Sequence, residues 1–116
     1  MEEDTLKKIR LSHEEASVLA IHMEMVKKPI KKAFWKQGLQ GIKNVHRYEA
    51  VVKRIVSDTK KDGLLLSVNR DEYDVLSGFI TWYGQHIRNG SKDEGLNSSQ
   101  KETLFLLGSI EAKVMS

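Results

Sequence analysis

The chain has 116 residues, 40% of them apolar and 30% charged, with a formal net charge of +3 and no cysteine. That length suits a single domain burying roughly two thirds of its unfolded surface, and the lack of cysteine excludes disulfides and thiolate metal sites. No apolar run approaches the roughly 20 residues of a bilayer span, and the opening MEEDTLKKIR lacks the basic-then-apolar order of a secretory signal, so the expectation is a soluble cytoplasmic protein.

Residues 1–11 carry no helical period and read as a flexible or extended N-terminal arm. Ser12 and Glu15 then form the S-x-x-E pattern in which hydroxyl and carboxylate satisfy backbone N–H groups left free at a helix start. The first helix is predicted from His13 to about Lys28, with Val18, Leu19, Met23 and Val26 facing inward. Pro29, the chain's single proline, kinks or ends it, because proline lacks the N–H and clashes with the preceding turn. A short piece carrying Ile30, Phe34 and Trp35 continues to Gln37 and stops at Gly38 and Gly41.

A clean helical period runs from Ile42 to about Ser57. At about 100° per residue, Val45, Tyr48, Val52, Ile55 and Val56 share one side, and Lys43, Arg47 and Arg54 share the opposite side. Asp58 to Gly63 is a polar break, and Leu64 to Val68 an apolar, extended piece. Asn69 with Glu72 repeats the cap-x-x-acid pattern and opens a helix whose inward stripe is Val75, Leu76, Phe79, Ile80, Tyr83 and Ile87. Its early acids, Asp71, Glu72 and Asp74, complement the helix dipole. Residues 89–99 read as a surface loop. Ser99 with Glu102 opens the last helix, which presents Leu104, Leu107, Ile110 and Val114.

Leu11 to Leu19 aligns with Val68 to Leu76 at an offset of 57, and Val51, Val52 and Ile55 align with Leu106, Leu107 and Ile110 at an offset of 55. The predicted fold is all-α, a compact bundle of four to five helices in one domain, with 12–61 and 64–116 as two helical hairpins that are related if the repeat is a duplication. Each helix has one apolar stripe and must bury it against the others.

Charge is sorted along the chain. Residues 27–61 hold eleven Lys or Arg against two acids, a local balance of +9, and each flank carries −3. A block of one sign acts on polyanions or acidic protein surfaces. The expected contact residues are Lys28, Lys31, Lys32, Lys36, Lys43, Arg47, Lys53 and Arg54. Nucleic acid is the sharpest candidate partner, because basic groups on a helix neutralise phosphates and an exposed aromatic stacks on an unpaired base. The alternative is a small inhibitor or adaptor, of phage or prophage type, acting on a host or acidic protein through its helix faces, with Trp82 and Tyr83 as anchors. Self-association is compatible with either reading. No catalytic, cofactor or metal signature is present: His13, His22, His46 and His86 are scattered, and no H-E-x-x-H or phosphate-cradling glycine loop occurs. The expectation is a non-enzymatic interaction domain.

Overall fold

A computed structural model describes residues 6–90, 95 and 97–115. In chain order these form β1 (Lys7–Leu11), α1 (His13–Met25), α2 (Lys27–Trp35), α3 (Leu39–Asp58), β2 (Leu64–Val68), α4 (Arg70–Gly90) and α5 (Ser98–Met115). The protein is mostly helical, as its periodicity predicts, with a small antiparallel sheet added. That sheet corrects the all-α expectation. Lys7–Leu11 alternates exposed and buried positions and pairs with Leu64–Val68 in a register that sets Lys7 against Val68 and Ile9 against Leu66. Two strands of this length are stable only against other elements. Here Ile9, Leu11, Leu64, Leu66 and Val68 enter the same core as the helices.

Both helices that follow the strands begin as their cap patterns predict. The Ser12 hydroxyl accepts from the Glu15 N–H at 3.1 Å while the Glu15 carboxylate accepts from the Ser12 N–H at 2.8 Å. Asn69 and Glu72 exchange the same pair of bonds at 2.9 and 3.0 Å. The box before α5 differs from the expected Ser99–Glu102. Asn97 and Gln100 form it, at 2.8 and 3.0 Å, because asparagine is at least as good an N-cap as serine. The helix consequently starts at Ser98, one residue before the expected cap.

The first helix ends earlier than Lys28. In an unbroken helix Pro29 would have to donate a backbone bond to Met25, and it has no N–H. The chain bends at Val26, and α2 starts afresh with the Ile30 N–H on the Val26 carbonyl at 3.1 Å. The bend leaves the last carbonyls of α1 without helical partners. Tyr48 of α3 supplies one, donating its hydroxyl to the Met23 carbonyl at 2.6 Å from within the core. Burial, reinforced by the Glu24 and Tyr83 charges, raises the Tyr48 phenol above its ordinary pKa and keeps it a donor.

Helix α3 starts three residues before Ile42, at Leu39. Gly38 precedes it at φ 74, a left-handed backbone suited to glycine. Its buried stripe is Gly41, Val45, Tyr48, Val51, Val52 and Ile55. Val56 is 63% exposed, and Val51 takes its expected place in the core. On α1, Ala16 and Ala20 join Leu19 and Met23 inside, and Val18 and Val26 are only half-buried. Leu76, Phe79, Ile80 and Tyr83 fill the inner side of α4, and Leu107, Ile110 and Val114 that of α5; Val75, Ile87 and Leu104 are half-buried at the margins. Helices α1, α3, α4 and α5 pack as a closed ring of four neighbours, and α2 lies against α3 outside that ring. No described helix is long and apolar enough to cross a membrane.

Candidate partner-binding groove

Because the chain bends at Val26 while α4 continues unbroken for 21 residues, a groove opens between α2, α3 and α4. The groove has a volume of about 470 Å³ and is lined by Pro29, Ile30, Ala33 and Phe34 from α2, Asn44, Arg47 and Tyr48 from α3, and Asp71, Asp74, Val75, Gly78, Phe79 and Trp82 from α4. Its α2 wall is held by an intimate contact. A Cβ on Gly41 would collide with the Phe34 carbonyl, so only glycine lets α2 and α3 meet this closely.

Gly78 is the opposite case. A Cβ there would meet nothing within 4 Å, although glycine inside a helix costs about 1 kcal/mol relative to alanine. Its open side forms part of the groove and of a shallower extension reaching Thr81, Gln85 and Met115. Trp82, 43% exposed, stands between the two, its indole stacked on His86 with ring centres 5.1 Å apart.

The cations expected to form one outward patch are divided. Arg47 and Arg54 do lie on one side of α3, and that side faces the first turn of α4. Arg47 pairs with Asp71 at 3.2 Å and donates to Asn44 at 2.9 Å. Arg54 grips the buried Glu72 with both terminal nitrogens, at 3.1 and 2.8 Å, and donates to the Ser67 carbonyl of β2 at 2.6 Å. Burial alone would raise the Glu72 pKa. Hydrogen bonds from Arg54 and from the Asn69 backbone outweigh it and hold the carboxyl below its ordinary value. Lys27 and Lys31 converge on Glu49 of α3 at 3.3 and 3.2 Å, and the bond from Lys31, with that from Lys27, lowers the Glu49 pKa against a small burial effect.

Lys28, Lys32, Lys36, Lys43 and Lys53 are exposed and form no ion pair among the described residues. They do not form a single set. Gly41 faces α2, so Lys43, about 160° farther round the helix, projects away from α2. Lys53 stands about 15 Å farther along α3 than Lys43. Lys28, Lys32 and Lys36 do belong together, as successive turns on the solvent side of α2, beside the groove-lining Pro29 and Ala33. Trp35 joins this row. It is 58% exposed, while Phe34 turns inward against the core.

No family model matches the chain, and no curated protein or solved structure is significantly similar to it. The functional reading therefore rests on the groove and its rims.

Sequence reasoning did not find the groove, since it comes from the angle between α2 and α4. The local signals were Pro29, which breaks one helix, and Gly78, which like Gly84 and Gly108 stands inside a helix with no turn to serve. Among the described residues no three His, Asp or Glu converge in a way that could hold a metal ion.

Proposed function

We propose that the protein is a non-enzymatic interaction domain whose groove between α2, α3 and α4 takes an amphipathic segment of an acidic protein. The observation that carries this reading is the combination of an apolar floor, Phe34, Val75 and Phe79, with an unoccupied backbone approach at Gly78. An apolar stripe at helical spacing suits such a floor. The lysine row on α2 supplies the charge for an acidic edge, and it acts more on association rate and orientation than on affinity.

A second reading, contact with a nucleic-acid strand, draws on a different observation: Trp35 lies exposed beside Lys28, Lys32 and Lys36, which form no ion pair among the described residues. Base stacking on an aromatic and phosphate neutralisation by lysine fit that arrangement. Its area is smaller than the charge block implies, because Arg47 and Arg54 are bound to α4.

Fluorescence anisotropy separates the two. The probes are a labelled Glu-edged amphipathic peptide, oligo(dT) and a random duplex, each at low salt. The groove reading expects the peptide to bind, with binding lost in Gly78→Leu and weakened in Lys32→Glu/Lys36→Glu. Binding of oligo(dT) that survives Gly78→Leu, without peptide binding, overturns it in favour of the nucleic-acid reading. In that event affinity should fall with salt at a log-log slope of roughly −0.7 per neutralised phosphate.

A further inference from the structure

The two walls of the groove carry opposite charge. Lys32 and Lys36 rise beside the α2 wall, exposed and without an acidic partner among the described residues. Asp71 and Asp74 line the α4 wall, and although each meets an arginine of this chain, their side chains remain 59% and 61% exposed. An acidic segment lying in the groove meets attraction along one edge and repulsion along the other. The occupant that satisfies both edges carries cations on one side of an apolar strip and carboxylates on the other.

This chain has that pattern itself. A two-fold contact is self-complementary, so a residue on one wall of the first copy meets the opposite wall of the second. We infer that the groove is a dimerisation surface whose occupant is a second copy of this chain, with α2 of each protomer lying along α4 of its partner. The inference rests on the groove reading above and, since this chain carries a net charge of +3, replaces the acidic partner with one that bears both signs. Lys32 and Lys36 of each copy then face Asp71 and Asp74 of the other, and the open side of Gly78 lets the two backbones approach. Trp82 is covered in the process.

The test is a charge exchange read by light scattering behind size exclusion, over protein concentrations from micromolar to millimolar. The wild type is expected to dimerise. Lys32→Glu/Lys36→Glu and Asp71→Lys/Asp74→Lys, each alone, should weaken dimerisation by about tenfold or more through like-charge contacts. An equimolar mixture of the two variants should restore a dimer, now a heterodimer, because every reversed contact regains an opposite charge. Gly78→Leu should be monomeric throughout, with unchanged circular dichroism.

A wild type that stays monomeric across the range overturns the inference, as does a dimer indifferent to Gly78→Leu or a mixture that fails to pair. None of these results touches the peptide experiment, so a failed dimer and a failed groove are separately visible. Since Asp71 also pairs with Arg47, Asp74→Lys alone serves as the milder variant if the double substitution lowers helicity. Its mixture with Lys36→Glu is held to the same criterion.

Discussion

Ile9 lies directly opposite Leu66 in the two-stranded sheet, and the two residues are 57 positions apart, the same offset that aligns Ser12 with Asn69 and Glu15 with Glu72. An antiparallel pair with this register relates the two strands by a local two-fold axis through the Ile9–Leu66 pair. The exchange of contacts follows the same relation. Glu15, at the head of α1, accepts from Ser109 and Lys113 of α5, and Glu72, at the head of α4, accepts from Arg54 of α3. Each half thus ties its capping acid to the last helix of the other, and the packing is interlocked.

Arg54 is expected to be a structural cation. Arg54→Met should destabilise the protein by about 3 kcal/mol, because removing one member of a buried pair leaves an uncompensated charge. Arg54→Met/Glu72→Met should recover much of that loss, since apolar side chains of similar size replace buried ion pairs at little cost. Urea denaturation of the three proteins at neutral pH measures both steps.

Glu15 should govern the acid limb of stability. Burial opposes its ionisation, but hydrogen bonds from Lys113, Ser109 and the Ser12 backbone prevail and bring its pKa from 4.5 to about 2. A carboxyl with a depressed folded-state pKa contributes fully above its unfolded value and loses that contribution as pH falls toward the folded one. The loss is about 3 kcal/mol between roughly pH 5 and pH 2. Unfolding free energies across this window should fall steeply for the wild type and more shallowly for Glu15→Gln, which starts lower.

Two glycines inside helices should respond with opposite sign to alanine. Gly41→Ala forces a methyl into the Phe34 carbonyl and should cost about 1–3 kcal/mol through displaced packing, loosening α2. Gly78→Ala meets open space and should add about 0.5–1 kcal/mol through helix propensity. Thermal melts distinguish them, and the gain at Gly78 would mark a position where stability yields to access.

Tyr48→Phe removes the hydroxyl that satisfies the Met23 carbonyl where α1 breaks. The expected cost is about 1–2 kcal/mol, the range for leaving one buried acceptor unpaired. Hydrogen exchange should show the amides of 24–28 and of Ile30 opening more readily than in the wild type, because that hydroxyl holds the bend.

Several of these features were legible in the sequence because they depend only on near neighbours. The Ser12–Glu15 and Asn69–Glu72 boxes are four-residue patterns, and the Pro29 break follows from a missing N–H. Leu64 to Val68 was legible as an extended piece, but its pairing was hidden, because Lys7–Leu11 contributes only Ile9 and Leu11 to the core and becomes a strand through a partner 57 residues away. Val51 and Val56 flank the α3 stripe on opposite sides, and the choice between them depends on which flank meets β2 and α4. The same holds for charge. Counting signs revealed a basic block, yet the partners of Arg47 and Arg54 lie 24 and 18 residues along the chain, a distance that composition cannot bridge.

The bend at Val26 has a consequence for valency. At the repeat offset, α4 corresponds to 13–33, the stretch that Pro29 divides into α1 and α2; the second half keeps its helix whole, and the cleft at the matching place, between His22, His86 and Thr103, is smaller, at about 300 Å³. The break at Pro29 thus lies on the side of the larger of the two clefts. In the proposed two-fold dimer the α2–α4 groove of each copy is occupied by the other, so assembly through it closes at the pair and does not propagate into a filament.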